Sequence, residues 1–151
     1  MSGSERITVL LVEDNVDDYL LVRRAFEKLG LGQPLWRVED GEAAIRYLEG
    51  KGEYADRSIY PLPVLVLLDL KLPGLSGFDV LKWIRSQQVI RRIPVVVLTS
   101  SCDLRDINRA YELGANSYLK KPVSPADVEG MIAALGLYWL RWNQYPEVVC
   151  T

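Results

Sequence analysis

The chain has 151 residues, of which 49% are apolar and 25% charged, and its net charge is −2. This length favours one domain with its own core, and the small acidic excess argues against nucleic acid as a direct partner. We expect a cytoplasmic protein, because no apolar run is long enough to span a membrane and no secretion signal begins the chain. The cysteines, Cys102 and Cys150, form neither a disulfide framework nor a metal site and are expected to be free thiols, buried or idle. The chain has no histidine, so histidine chemistry would have to come from a partner.

The first half of the chain alternates strands and helices. Strands are predicted at residues 7–12 and Leu35–Val38. The first helix follows Asp14 or Asn15 as its N-cap and stops at Gly30. Its inward positions are predicted to be Leu20, Leu21, Ala25 and Leu29. The second helix opens at Asp40-Gly41 and stops at Gly50, with Ala44, Ile45 and Leu48 inward.

The second half repeats this alternation. Residues 51–63, with Tyr54 and Tyr60, are predicted as a solvated loop, with a partner-specific insertion as the alternative. Strands are predicted at 64–68, 95–98 and 117–119, and helices at 77–85, 104–113 and after Ser124. Branched apolar runs such as 64–68 are typical of strands buried on both faces. The order predicts an α/β fold, a doubly wound five-stranded parallel sheet with helices on both faces.

Polar side chains follow four of the predicted strands directly. Glu13 and Asp14 follow the first strand, Asp69 the third, Thr99 the fourth and Lys121 the fifth. Each residue alone is explained as a turn, cap or strand residue. In an open parallel sheet, however, ligands bind at the carboxyl ends of the strands. We therefore expect all five residues to meet at one edge.

This set of residues suits phosphoryl transfer. Carboxylates gathered at one edge repel one another unless a cation lies between them, and all-oxygen ligands select a hard ion such as Mg²⁺. Asp69 can be a metal ligand, a nucleophile or both. With Thr99 and Lys121 as donors to phosphoryl oxygens, attack by Asp69 on phosphorus would form an acyl phosphate.

Four stretches carry a resemblance to a known family. They are Val12-Glu13-Asp14-Asn15, the segment LDLKLPGLSG at residues 68–77, the stretch from Pro94 through Thr99-Ser100, and Lys120-Lys121-Pro122. Over about residues 7–134 the chain resembles a CheY-type receiver domain, the response-regulator half of a two-component system. The resemblance implies a flavodoxin-like (βα)5 receiver fold. It also implies that Asp69 accepts a phosphoryl group from a phosphohistidine of a partner histidine kinase.

The resemblance further implies a metal site. Mg²⁺ would be bound by Asp14, Asp69 and the backbone carbonyl of Lys71, and Glu13 would assist through water. The Lys121–Pro122 peptide would be cis.

It also implies a switch. Thr99 and Lys121 would sense the phosphate, and Tyr118 stands at the family's switch position. Movement of Thr99 and the Tyr118 ring would reshape the face made by the fourth helix, the fifth strand and the fifth helix; a half-buried strand tyrosine is the alternative. Lys71 and Ser101 stand at positions that tune hydrolysis of the acyl phosphate.

The C-terminal segment is unusual for such a domain. A flexible N-terminus is predicted at residues 1–6, a receiver domain at 7–136, and an aromatic extension at 137–151 that carries Tyr138, Trp139 and Trp142. A helix apolar around most of its circumference needs burial on more than one side, so we expect a homodimer through these aromatics. Folding back onto the core is the alternative.

The extension, the tyrosine-bearing insertion and Leu98-Thr99-Ser100-Ser101 are similar to small regulators that serve bacterial and cyanobacterial phytochrome kinases. Those regulators dimerise through the face formed by the fourth helix, fifth strand and fifth helix.

Three functions of different classes follow from these observations. The leading one is a single-domain response regulator of a phosphorelay, not an enzyme, which signals to an unidentified downstream protein because no output domain follows. The second is an aspartate-nucleophile phosphatase. Such enzymes place an aspartate two residues after the nucleophile, where this chain has Lys71. The third is a dimeric scaffold independent of phosphorylation, against which the intact set of polar strand-end residues argues.

Overall fold

The computed structural model describes residues 7–31 and 34–147. Within these ranges, one sheet contains five parallel strands in the order β2-β1-β3-β4-β5, which confirms the predicted doubly wound, flavodoxin-like fold. The strands are β1 Val9–Val12, β2 Leu35–Val38, β3 Leu65–Leu68, β4 Val95–Thr99 and β5 Ser117–Lys120. The helices are α1 Val16–Lys28, α2 Gly41–Glu49, α3 Gly77–Ser86, α4 Leu104–Glu112 and α5 Pro125–Leu135. The predicted N-terminal segment 1–6, Cys150 and the last four residues of the predicted extension lie outside the described residues.

Local capping signals set the helix boundaries. The Asn15 side chain accepts a hydrogen bond from the amide of Asp18 at 2.9 Å, so α1 begins where the sequence predicts. Ser124 caps α5 in the same way, with proline at the first helical turn. Gly50 ends α2 with a φ of 70°, a left-handed conformation that glycine adopts without a Cβ penalty.

Two separate cores cover the two faces of the sheet. Side chains alternate along a strand, so Leu10 and Val12 of β1 pack with α2, α3 and α4, and Val9 and Leu11 pack with α1 and α5. The central strands β1, β3 and β4 are buried along their whole length. Burial on both faces explains why their sequences are continuous apolar runs.

The predicted inward faces of α1 and α2 are partly wrong. In α1, Ala25 is buried and Leu21 and Leu29 pack half-buried against the core, as predicted. Leu20 is only half-buried, and the prediction missed the buried Val22 and Phe26. In α2, Ile45 is half-buried, whereas Tyr47 is fully buried. Tyr47 can occupy the core because its hydroxyl donates to the carbonyl of Pro61 at 2.8 Å.

The predicted solvated loop at residues 51–63 is wrong for its aromatic residues. Tyr60 packs against Tyr47, Tyr54 and Trp36 with ring centroids 5.1 to 6.0 Å apart. The guanidinium of Arg57 donates to the carbonyls of Tyr47, Leu48 and Tyr60 at 2.7, 2.7 and 3.0 Å. The loop is therefore anchored by Arg57 and packs Tyr60 against Tyr47 of α2 and Trp36 of β2.

Two smaller expectations also differ from the structure. The Lys121–Pro122 peptide is trans, the isomer that is intrinsically favoured before proline by about 0.5–1 kcal/mol. Cys102 is a free thiol as expected, but it is exposed, so of the two alternatives, buried or idle, burial is wrong. Among the described residues, no helix has the length and apolar character needed to cross a membrane.

Candidate functional site

The register of the sheet turns three charged side chains toward one side of its carboxyl edge. β1 and β3 are neighbours with Val12 paired to Leu68, so Glu13 and Asp69 leave the sheet side by side. Leu11, Leu67 and Leu119 all belong to the core under α1 and α5. Because side chains alternate, the residues two positions later in the chain turn the same way. These residues are Glu13, Asp69 and Lys121.

Lys121 lies at the centre of the site. Its Nζ lies 2.7 Å from Glu13 Oε1, 2.7 Å from Asp69 Oδ2 and 2.9 Å from Asp18 Oδ2. The side chains of Lys121, Glu13 and Asp69 are only 14%, 2% and 7% exposed, so solvent screens these charges weakly. Burial alone would lower the pKa of Lys121, but hydrogen bonds to the three carboxylates outweigh burial and raise it. The ammonium is therefore firmly charged.

Glu13 is the most buried carboxylate of the site. Burial raises the pKa of Glu13 to about 7; the hydrogen bond from Lys121 opposes this rise, and the negative charge of Asp69 adds to it. Its Oε2 also accepts the backbone N–H of Asn15 at 3.1 Å. Glu13 is thus held by β1, by Lys121 and by the first turn after the strand.

Glu13, Asp14 and Asp69 form a set of oxygen donors that suits a hard divalent cation. One carboxylate oxygen from each residue lies within 4.8 Å of the others. Asp14 is exposed and faces solvent, whereas Glu13 and Asp69 are buried. All-oxygen donors with one open side fit an ion that keeps part of its water shell, such as Mg²⁺. The predicted meeting of these three residues is confirmed by the geometry.

Asp18 is a site residue that the sequence reasoning missed. It lies in the first turn of α1 and reaches Lys121 at 2.9 Å, although its side chain is 38% exposed. The signal for it was available: an acidic residue near the start of a helix that follows an acidic strand end faces the same edge. Its first-turn position explains it equally well as a helix-dipole partner, which is why the sequence alone did not single it out.

Thr99 carries an unusual buried hydroxyl. It ends β4, is 0% exposed, and accepts a hydrogen bond from the Lys121 backbone N–H on its carbonyl at 2.7 Å. Its Oγ1 has no hydrogen-bond partner among the described residues. Buried hydroxyls are nearly always paired, so this exception calls for an explanation. A hydroxyl left unpaired next to the site is free to donate to an oxygen brought by a ligand.

Gly77 allows the β3–α3 connection to pass close behind Asp69. Its N–H donates to the carbonyl of Leu70 at 2.9 Å. A Cβ at Gly77 would collide with the backbone carbonyl of Asp69. A side chain here would push directly on the backbone that carries the Asp69 carboxylate.

The remaining predicted residues flank this centre. Lys71 is exposed, and its N–H lies 3.4 Å from Asp69 Oδ1. Tyr118 is half-buried and its hydroxyl donates to the Ser101 carbonyl at 3.0 Å; burial raises the pKa of Tyr118. The Ser101 hydroxyl donates to Asp106 at 2.7 Å. Tyr118 and Ser101 thus join β5 to the loop that follows Thr99.

The first part of the predicted extension, up to Trp142, is helical and only partly exposed. A π-helical segment, Gly136–Trp142, continues α5 directly. Trp139 packs on the core under α1 and α5, and Tyr138 lies edge-on against its ring, with centroids 4.9 Å apart. Tyr138 and Trp142 are 56% and 73% exposed. Of the three predicted interface aromatics, Trp139 is therefore mostly used by its own domain.

The chain is similar to a group of signalling proteins. Residues 9–133 match a family model described as "Response regulator receiver domain". Response regulator Rcp1 of Synechocystis is 39% identical over 138 residues, which are 91% of this chain and 92% of that protein. The probable methanogenesis regulatory protein FilR2 of Methanothrix harundinacea is 42% identical over 149 residues, 97% of this chain and 92% of that protein.

Solved structures agree. The phosphorylated cyanobacterial phytochrome response regulator RcpA superposes with a TM-score of 0.87 at 34% identity, covering 94% of this chain and 99% of that chain. The Mn²⁺-bound form of Rcp1 superposes with a TM-score of 0.84 at 37% identity, covering 93% and 99%.

Proposed function

The chain belongs to the response regulator receiver family, and from this premise we propose that Asp69 is its phosphoacceptor. An oxygen of the Asp69 carboxylate forms a bond to phosphorus while the P–N bond of a phosphohistidine on a partner kinase breaks. The electron pair of that bond returns to the imidazole nitrogen, which takes a proton from water, and an acyl phosphate remains on Asp69. The observation that carries this proposal is the convergence of Lys121 on buried Asp69 and Glu13.

We propose Mg²⁺ as the cation that receiver domains of this family hold at the acidic edge. Asp14, Asp69 and the backbone carbonyl of Lys71 are the proposed ligands, and Glu13 is proposed to assist through water. The carboxylate oxygens of Glu13, Asp14 and Asp69 lie close enough together to support this arrangement. When bound, the ion neutralises the charge of the incoming phosphoryl group. Asp14 lies on the exposed side of the site, and Glu13 and Asp69 lie on its buried side.

Thr99, Lys121 and Tyr118 are proposed to read the phosphoryl group. The unpaired Thr99 hydroxyl donates to one phosphoryl oxygen. The Lys121 ammonium gives up part of its contact with the carboxylates and pairs with a second phosphoryl oxygen. Tyr118 is tied to the Ser101 carbonyl, so a shift of the Thr99 loop changes its position. The change would reach the surface formed by α4, β5 and α5. Lys71 and Ser101 are proposed to tune how fast the acyl phosphate hydrolyses.

The partner is proposed to be a histidine kinase of the phytochrome class. This proposal rests on the similarity to RcpA, which is itself a phytochrome response regulator. We propose that the protein is not an enzyme with its own substrate, that it works in the cytoplasm, and that it passes the signal on by contact with a downstream protein.

The extension is proposed to mediate a homodimer. We place the receiver domain at residues 7–136 and the extension at 137–151, of which the structure describes residues up to 147. Leu137, Tyr138 and Trp142 are all more than half exposed, and exposed aromatics are typical interface anchors. Sedimentation of Trp142→Arg should show a monomer where the wild type is a dimer; an unchanged dimer would remove Trp142 from the interface.

The phosphoacceptor is tested by intact-mass spectrometry after incubation with acetyl phosphate and Mg²⁺. Wild type should gain one phosphoryl group, which hydroxylamine removes because it cleaves acyl phosphates. Asp69→Asn should gain none, and Asp127→Asn, at an exposed aspartate of α5, should behave as wild type. Full labelling of Asp69→Asn would assign the acceptor elsewhere.

A further inference from the structure

Arg37 donates hydrogen bonds to the backbone of both acidic residues that follow β1. It lies on β2, the edge strand beside β1. Its Nε donates to the carbonyl of Glu13 at 2.9 Å, and its Nη2 donates to the carbonyl of Asp14 at 3.1 Å. Its side chain is only 15% exposed, and Nη2 lies 3.7 Å from Glu39. The guanidinium therefore bridges two consecutive carbonyls.

The Tyr19 ring also contacts the Arg37 guanidinium. The guanidinium carbon of Arg37 lies 4.9 Å from the centroid of the Tyr19 ring, within the range of a cation–π contact. Tyr19 is on α1 and is half-buried. Arg37 thus connects the end of β1, the edge strand β2 and the first helix.

The backbone of Glu13 and Asp14 needs such an anchor. The ladder between β1 and β2 reaches only to the Glu13 N–H, which donates to the Val38 carbonyl at 3.0 Å. The carbonyls of Glu13 and Asp14 lie past Val12, the last residue of β1 that pairs with β2. The planar fork of arginine can reach both carbonyls at once, whereas a lysine ammonium is a single point charge on a flexible stem.

Fixing these carbonyls also fixes where the two carboxylates point. We propose that Arg37 is a positioning residue that preorganises Glu13 and Asp14 for the divalent cation and thereby for phosphoryl transfer to Asp69. This inference rests on the proposed function of the site. The direction of the effect on cation binding can be tested. The positive charge of Arg37 by itself repels a cation, and only its hydrogen bonds to the two carbonyls favour binding.

The test measures Mn²⁺ binding to the metal-free full chain by the loss of the free Mn²⁺ electron paramagnetic resonance signal. Arg37→Lys keeps the charge and loses the fork, and Arg37→Gln loses both. Positioning predicts that both variants bind about tenfold more weakly, a change equivalent to about 1.4 kcal/mol. Arg23→Lys, at an exposed position of α1, should match wild type. Circular dichroism establishes that each variant is folded.

A pure charge effect predicts the opposite pattern. Arg37→Lys would then equal wild type and Arg37→Gln would bind more tightly, and either result overturns the proposal. If both variants fail to fold, Tyr19→Leu removes the ring and leaves both hydrogen bonds. It should weaken binding about two- to fivefold, the range expected for a lost cation–π contact, and unchanged binding would refute the support of Arg37 by Tyr19. Absence of Mn²⁺ binding by wild type would overturn the metal site itself, whereas normal binding by Arg37→Lys overturns only the role of Arg37.

Discussion

Thr99→Val should make the protein more stable while making it less responsive. The Thr99 hydroxyl is completely buried and has no partner among the described residues. A buried hydroxyl without a hydrogen bond costs about 1–3 kcal/mol. Valine has nearly the same shape and replaces the hydroxyl with a methyl group. We therefore expect the free energy of unfolding, measured by urea denaturation of the metal-free protein, to rise by about 1–2 kcal/mol.

The loss of response is measured on the same variant. Hydrogen exchange of residues 99–121 should change when wild type receives acetyl phosphate and Mg²⁺, and it should change little in Thr99→Val. Thr99→Ser is the matched control, because it keeps the hydroxyl and loses a buried methyl group; it should lose about 0.5–1.5 kcal/mol of stability and keep the response. If Thr99→Val is destabilised, the hydroxyl has a partner and its availability for a phosphoryl oxygen is refuted.

Two further substitutions test the contacts of the site and of the 51–63 loop. Arg57→Met removes three hydrogen bonds to carbonyls and should lower the free energy of unfolding by about 2–3 kcal/mol in urea denaturation. The control Arg46→Met, in an exposed ion pair, should change it by less than about 0.5 kcal/mol. Equal effects of the two substitutions would contradict the anchoring of the loop. Asp18→Asn should lengthen the lifetime of the phosphoryl adduct, since one carboxylate fewer competes for Lys121. Asp17→Asn, exposed on the same helix, is the control, and the same lifetime in both variants would leave Asp18 without a part in the site.

The elements and the central site follow from local signals in the sequence. Short apolar runs that continue without alternation and end at turn residues are typical of buried strands in a parallel sheet, and a capping residue or glycine bounds the helices. The site was predictable because strand ends in such a sheet share one edge. Glu13, Asp69 and Lys121 needed only this rule to be brought together.

The contacts that the sequence did not reveal depend on side-chain reach across the fold. Arg57 and Arg37 look like ordinary surface arginines, yet each donates to backbone carbonyls on another segment. Periodicity also could not separate Tyr47 from an exposed tyrosine, because its burial depends on a carbonyl supplied by the following loop. Long polar side chains have many rotamers, and only the packed structure selects one.

The balance of charge at the carboxyl edge leads to a last prediction, on metal removal. Lys121 is the cation that contacts Glu13, Asp18 and Asp69, so a single ammonium serves three carboxyl groups. Phosphorylation of Asp69 replaces a carboxylate with a group of about −1.5 to −2 charge, which Lys121 alone cannot neutralise at low exposure. Acetyl phosphate should therefore label the protein at least about tenfold more slowly in EDTA than in Mg²⁺, a difference of about 1.4 kcal/mol in activation free energy. Equal labelling rates, followed by intact mass, would mean that the chain itself supplies all the charge the reaction needs.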